Sequence, residues 1–393
     1  AMLDALTQQP ADALLALIKL YDADTRADKV DLGVGVFRTE SGATPVFAAV
    51  KAAEAQLLQS QDSKAYLGPE GDMGFVHALM PYIFGADPAR GGRIEGMQAP
   101  GGTGGLRLAF ALVKRGGGNR IIMGTPTWPN HTQILDDLGM EAVSFNHARN
   151  DGTPDMDALR AAIGAASAGD VILLHGCCHN PTGIDYADAD WDEIAALLAE
   201  RKILPIIDLA YQGLGQGMEE DAVGLRKVVD AVPEALICYS CDKNFGLYRD
   251  RVGALYVLSR DAERTTAILS NGHNLARTNW SQPPDHGAAA VRLVLRDEAL
   301  TKQWLDELAD MRARMRQMRD QLAAADNRVG GMELVPLASQ NGLFSILPLG
   351  EQQILALRED HGVYMAGSGR INVAGLTSAN MEKFVSALAA VAG

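Results

Sequence analysis

The middle of the chain, from Gln98 to Val257, alternates short apolar runs with stretches whose apolar residues recur at helical spacing. The runs Ile121–Met123, Glu141–Phe145, Val171–His175, Ile203–Asp208, Ala235–Ser240 and Ala254–Leu258 have the length and composition of buried strands. Gly105–Lys114, Pro129–Leu138 and Trp191–Arg201 read as amphipathic helices between them. Such alternation predicts an α/β fold, in which a mainly parallel sheet is flanked by helices. Before this region, Ala11–Asp22 and Phe47–Leu58 have helical spacing, and Val30–Val36 reads as a short glycine-bearing strand. After it, Glu298–Ala325 predicts one long packing helix with a solvated face. The pattern then changes. Met332–Val335, Leu343–Leu347, Val363–Met365 and Ile371–Val373 read as strands, Glu351–His361 as a helix, and a closing helix starts at Ser378. These elements predict a smaller α+β domain. The expected division is 45–310 for the large domain and 1–44 with 311–393 for the small one.

Composition narrows the classes without choosing among them. The 393 residues are 47% hydrophobic and 21% charged, ordinary for a folded globular protein. Apolar runs fall short of the ~20 residues a membrane span needs. A net charge of −14 argues against non-specific nucleic-acid binding, so an acidic substrate would have to meet locally placed arginines. Four cysteines make no disulfide framework, and Ala1-Met2-Leu3-Asp4 lacks a basic stretch followed by an apolar one, so the expected location is the cytoplasm.

Candidate chemistry gathers where the strand-like runs end, which is where ligands collect in such sheets. Ser240-Cys241-Asp242-Lys243 follows one run and leads to Arg251. A lysine desolvated there becomes a nucleophile able to form a Schiff base with a carbonyl. Ser240 and Arg251 would offer a hydroxyl and a planar cation to a phosphate. The same residues also fit a solvated surface loop, and Ser-x-x-Lys occurs in penicillin-binding enzymes. Pro100-Gly101-Gly102-Thr103-Gly104-Gly105 opens a helix with bare amides and a hydroxyl, a phosphate cradle or simply a turn. Asn180-Pro181-Thr182-Gly183 and Asp208-Leu209-Ala210-Tyr211 add an amide, a carboxylate and a phenol. His175-Gly176-Cys177-Cys178-His179 and the Cys238/Cys241 pair suggest a metal, but the spacings do not suit tetrahedral zinc, and no metal is expected.

Together these stretches carry a resemblance. DLGVGVFR, TPVFAAVKAAE, YLGPEGD, PGGTGGLR, PTWPNH, LLHGCCHNPTGID, IIDLAYQG, EEDAVGLR, KNFGLYRDRVG, SQPPDHGA and GSGRINVAGL span nearly the whole chain. The sequence resembles the aspartate/aromatic branch of the fold-type I, pyridoxal-phosphate-dependent aminotransferases. The joint presence of HGCCHNPTG, DLAYQG and KNFGLY is specific enough to set aside the metal and penicillin-binding readings.

The resemblance implies a role for each matching residue. Lys243 would form the Schiff base with pyridoxal 5'-phosphate and then carry the proton. Asp208 would pair with the pyridine nitrogen, supported by His131 behind it. Tyr211 and Asn180 would face the phenolic oxygen, and Trp128 would stack on the ring. Gly102, Thr103, Ser240 and Arg251 would hold the phosphate, with Tyr66 reaching in from a second subunit of a homodimer. Arg370 would grip the substrate α-carboxylate, and Arg277, again from the other subunit, a distal carboxylate. Gly35, Asn279 and Phe344 would border the substrate, Asn279 in the loop carrying Arg277.

The implied reaction exchanges an amino group between an aromatic or dicarboxylic L-amino acid and 2-oxoglutarate. Broad, aromatic-accepting specificity is favoured by Ala65 and Gln282, which depart from the common pattern, as Trp280 also does. Strict aspartate specificity is the alternative; a decarboxylase or β-lyase on the same cofactor, or an inactive binding protein, are the rivals from other classes. Asp242 departs most, standing where serine is frequent. Its charge near a phosphate dianion costs energy unless it turns away or meets a cation, so weaker cofactor retention is expected.

Overall fold

The computed structural model describes residues 1–393. Its strands are β1 (Val30–Asp31), β2 (Ile94–Pro100), β3 (Arg120–Thr125), β4 (Glu141–Asn146), β5 (Val171–His175), β6 (Leu204–Leu209), β7 (Ala235–Ser240), β8 (Val252–Leu258), β9 (Phe344–Ile346), β10 (Val363–Tyr364) and β11 (Arg370–Asn372). Seven of them form one sheet in the order β2-β8-β7-β6-β5-β3-β4, with only β8 running against its neighbours. The mainly parallel α/β architecture expected from the alternation is therefore present. β7 and β8 are buried at every position, as strands covered on both faces must be.

Side-chain alternation sends neighbouring residues to opposite faces. Ile172 and Leu174 join the larger core with Trp191, Ile194 and Leu198, while Val171 and Leu173 join the smaller core with Leu106, Ile134 and Leu269. Helices Asp188–Arg201 and Val223–Ala231 thus cover one face, and Gly101–Arg115, Pro129–Asp137 and Ala262–Asn279 the other. No helix is long and apolar enough to cross a membrane.

The two ends of the chain meet. β1 pairs in parallel with β10, and Asn372 N–H donates to Leu32 O at 2.8 Å. β9 and β11 form a separate antiparallel pair beside them. Helix Glu298–Ala324 starts on an Asp297 cap and bridges the two regions. Its first half carries Trp304, which stacks on Phe245 at 4.2 Å and donates to Asn244 O. Its second half carries Arg314, bound to Ala374 O and Leu376 O, and Arg319, fully buried and bound to Gly342 O, Phe344 O and Ser345 Oγ. The boundary expected at 310/311 lies within this unbroken helix, between those two sets of contacts. The larger core runs continuously from the sheet into the C-terminal elements.

Two expected strands do not form as read. The Val30–Val36 strand shortens to Val30–Asp31 because Val34 O and Val36 O are taken by the Asn372 side chain instead of a neighbouring strand. Met332–Val335 is no strand: the Asp326 carboxylate accepts from Leu334 N–H, and Pro336 leads a 3-10 turn over Val335–Ser339.

Candidate active site

The carboxyl ends of β2, β3, β5, β6 and β7 lie along one edge of the sheet, joined there by the start of the reversed strand β8. Along that edge is a cavity of about 240 Å³. It is lined by Leu14, Gly35, Gly102, Thr103, Trp128, His175, Cys177, Cys178, Asn180, Asp208, Ala210, Tyr211, Lys243, Arg251, Phe344 and Arg370.

One wall is built for an anion. Helix Gly101–Arg115 begins at the end of β2 and has no side-chain cap, so its first amides stay free to meet a negative group. Glycine is required at two points of this wall. A side-chain carbon on Gly101, at φ 72°, would sit 2.6 Å from Arg251 Nη2 and 2.8 Å from Asp242 Oδ2. One on Gly105 would press on Ala254 O at 3.2 Å and hold the helix off the sheet. Arg251 faces this wall from just before β8, in a left-handed conformation at φ 55° that a non-glycine residue adopts only at a cost. Ser240 lies fully buried behind Gly102, and its hydroxyl accepts from Asp242 N–H.

The opposite wall is a polar relay. Asp208 Oδ2 accepts from His131 Nε2 at 2.8 Å; His131 Nδ1 is 2.8 Å from Thr127 Oγ1, which is 3.0 Å from His175 Nε2. His175 stacks on His179 at 4.1 Å, and His179 on His147 at 3.7 Å. Burial pushes His175 and His179 well below the ordinary histidine range and His147 down to about 4, so these rings are neutral. His147 Nε2 donates to Ile184 O, and Thr182 donates to His179 Nδ1, which fixes both tautomers. The Thr127 hydroxyl thus links the His131 and His175 rings into one path that ends on the Asp208 carboxylate.

That neutral stack makes stability pH-dependent. Between pH 6.5 and 4 the unfolded chain binds a proton at residue 147 that the folded chain refuses. The contribution is complete above pH 6.5, is lost as pH falls toward 4, and is worth about 3 kcal/mol for His147 alone. Urea midpoints should fall between pH 7 and 4.5, and His147→Phe, which keeps the stack but cannot titrate, should flatten that fall. Parallel profiles for the two proteins would refute the assignment.

Lys243 lies between the two walls. Its Nζ is 5.2 Å from the Tyr211 ring centre and makes no hydrogen bond within the chain. Burial pulls its pKa down, and the Arg251 cation adds to this; Asp242 and Asp208 pull the other way without prevailing. Burial also raises the Tyr211 phenol. Arg370 caps the cavity from β11, its guanidinium 4.3 Å from the Phe344 ring centre and Nη2 donating to Gly33 O at 3.3 Å. Asp208 Oδ1 is buried with no hydrogen-bond partner, as is Asn180 Oδ1. A buried acceptor left unpaired costs about 1–3 kcal/mol unless a ligand proton meets it.

Most residues expected from the sequence are thus brought together. Three are not. Tyr66 is 92% exposed, while Arg277 and Asn279 lie exposed in the last turn of helix Ala262–Asn279 and not in a loop. Arg277 Nη1 donates only to Ser281 Oγ, and Asn279 Nδ2 donates to Leu275 O. Leu14, Thr127, His147 and His179 were not foreseen as parts of the site, whereas His175, which closes a strand-like run, was expected among its candidates. The Cys-Cys-His stretch contributes imidazoles to the relay and two thiols of raised pKa, Cys177 through its hydrogen bond with Cys178 and burial, Cys178 through burial.

This donor set fits pyridoxal 5'-phosphate: an amine of lowered pKa, an unpaired carboxylate oxygen for a ring N–H, and an amide cradle with an arginine. The family model described as aminotransferase class I and II matches residues 27–388. The chain belongs to that family. A tyrosine aminotransferase of Rhizobium meliloti is 48% identical over 379 residues, 96% of this chain and 97% of its own. An aspartate aminotransferase of Salmonella typhi is 41% identical over 99% of this chain and 100% of its own. The crystal structure of an aromatic-amino-acid aminotransferase from Burkholderia pseudomallei, covalently bound to pyridoxal phosphate, superposes with a TM-score of 0.97 at 33% identity and full coverage of both chains. This aminotransferase therefore has the fold-type I architecture and pyridoxal phosphate as its cofactor.

Proposed function

We propose that this transaminase exchanges the amino group between an aromatic or dicarboxylic L-amino acid and 2-oxoglutarate, with aromatic side chains accepted broadly. The observation that carries the reading is the composition of the substrate end of the cavity. Arg370 supplies a bidentate partner for the α-carboxylate, while Leu14 and Phe344 beside it are apolar and suit a ring. The tyrosine and aromatic-amino-acid aminotransferases among its relatives support the same preference. Strict use of aspartate remains the second reading, supported by the aspartate aminotransferase relative and by the lightly tethered Arg277 guanidinium.

When bound, pyridoxal phosphate supplies the carbonyl that captures the amino group and the electron sink that makes the substrate Cα–H acidic. The chain supplies the rest. Lys243, whose pKa burial lowers, acts as nucleophile and afterwards moves the proton at Cα. The unpaired oxygen of Asp208 would meet the ring nitrogen, and the His131 relay orients its carboxylate. Tyr211 and Asn180 face the phenolic oxygen, Trp128 covers the ring, and Gly102, Thr103, Ser240 and Arg251 hold the phosphate. The smaller unit, residues 1–44 with 311–393, carries Gly35, Phe344 and Arg370 and would exclude water by closing on the larger one.

The working form in this reading is a homodimer in which Tyr66 and Arg277 serve the partner's site. Their exposure on one chain supports that arrangement. A cytoplasmic location fits the four buried free thiols, and cell fractionation checks it.

The test is a half-reaction screen following conversion of the bound aldehyde to the amine by phenylalanine, tyrosine and aspartate. All three are expected to react; saturable turnover of aspartate alone would overturn the aromatic reading. Arg277→Leu is expected to lower kcat/KM for aspartate by about 10²–10³-fold, the loss of one buried carboxylate pairing, with a far smaller effect on phenylalanine. Reassembling that variant with Lys243→Ala chains should restore aspartate turnover above either alone. No restoration would overturn the shared site.

A further inference from the structure

Asp242 is 1% exposed and lies behind the anion cradle, against Arg251 and Gly101. Its Oδ1 accepts from Val252 N–H at 2.9 Å, and its Oδ2 accepts from Arg251 Nη1 at 2.5 Å. Arg251 Nη1 is also tied to Tyr248 O, so its second nitrogen, Nη2, is the one left to face the cavity. The cation expected to meet the phosphate therefore already holds a carboxylate. Gly101 lies against both partners, which leaves no room for either side chain to retreat toward the helix.

Two effects of Asp242 oppose each other. It aims the guanidinium, which helps a phosphate bind, and it cancels the guanidinium's charge, which hinders a dianion. At these distances the second effect dominates. An arriving dianion meets a cradle whose cation is already paired and has a buried like charge behind it, and a nearby like charge disfavours the ionised carboxylate. Its surroundings offer few ways to discharge that repulsion. The charged and titratable groups facing Asp242 are Arg251 just before β8, Lys243 and the neutral Cys241 on its own turn, and the neutral Tyr248 phenol. The helix opposite contributes only the backbone of Gly101.

We propose that capture of the cofactor's phosphate is coupled to uptake of a proton at Asp242, so that holoenzyme forms more tightly in mild acid than in mild base. The inference rests on the cofactor reading above and adds to it a regulation of that same site. Burial already raises the carboxyl of Asp242 above its ordinary range, the direction that favours proton uptake. The sign follows directly: the anion that binds raises the proton affinity of the neighbouring acid, hence protons favour binding, and affinity falls as pH rises.

The experiment compares apo-protein of the wild type with Asp242→Asn, which keeps an oxygen for Arg251 but carries no charge. Dissociation constants for pyridoxal phosphate are measured by tryptophan fluorescence from pH 5.5 to 8.5. Calorimetry in buffers of different ionisation enthalpy counts protons taken up by the wild type alone, which keeps the test decisive if the variant folds poorly. The variant is expected to bind about tenfold tighter or more at pH 8.5, with the advantage shrinking toward pH 5.5 and the wild type taking up the additional proton. Pyridoxal, which lacks the phosphate, should show no such pH-dependent ratio; if it does, Asp242 acts through Lys243 and the proposal fails. A ratio constant with pH, or a wild type that binds tighter, overturns the proposal while leaving the transaminase reading intact. Failure of the wild type to bind pyridoxal phosphate at all would overturn both.

Discussion

Replacing Lys243 with alanine is expected to remove at least about four orders of magnitude from kcat, the upper end of what a positioned proton-transferring group contributes. The amine is held in the cavity with no hydrogen bond to spend its lone pair on, and four environmental effects act on its charge. Burial and Arg251 favour the neutral amine, Asp242 and Asp208 the ammonium, and burial is the largest of the four. A neutral fraction at working pH is what a nucleophile needs. Arginine at this position would preserve a positive charge and lose the nucleophile, because a guanidinium does not deprotonate; Lys243→Arg should be as inactive as Lys243→Ala. The holoenzyme reduced with borohydride and digested should carry its label on Lys243. A label on another lysine, or full turnover by either variant, would sink the assignment.

What the sequence disclosed was whatever its physics makes local. β5 and β7 are visible because strands buried on both faces must be continuously apolar, and helix Glu351–His361 ends where Gly362 adopts φ 66°, a stop any reader of glycine expects. β2 is hidden because Glu95 and Gln98 interrupt its apolar run; Gln98 is nonetheless fully buried, its amide satisfied by Asp72 N–H and Pro284 O. Helix Met73–Phe84 is hidden for the opposite reason: it is apolar nearly all round and shows no stripe. The site divides the same way. Lys243, Asp208, Asn180 and Arg370 sit in compact motifs, so the family resemblance delivers them together. Leu14 comes from a helix whose apolar positions look like ordinary core, and it enters the cavity only because the ends of the chain meet. The histidine relay joins residues from four separate segments through stacking and a threonine hydroxyl, and no spacing rule announces such a path. Asp242 was conspicuous as a charge in an awkward place, with two escapes, turning away or meeting a cation. It does the second, and the cation it meets is the one assigned to the phosphate.

Asp208→Asn is the substitution that separates the relay from the group it serves. The aspartate has one oxygen bound to His131 and one buried with nothing to accept. In the proposed reading a protonated ring nitrogen would give that second oxygen a charged donor. Asparagine preserves the shape but presents a neutral group, so the ring nitrogen loses the counter-charge that keeps its proton. Breaking a buried pair in this way costs about 3–5 kcal/mol, which is about 10²–10⁴-fold in the rate of the half-reaction. His131→Phe leaves the carboxylate in place and removes only its orientation, an effect of the size seen for outer partners of a reactive group, about 10–100-fold. Single-turnover rates with one amino acid therefore fall in a defined order: wild type, His131→Phe, Asp208→Asn. If the histidine variant proved as slow as the asparagine one, the relay itself would carry the proton chemistry, and Asp208 would be only its last link.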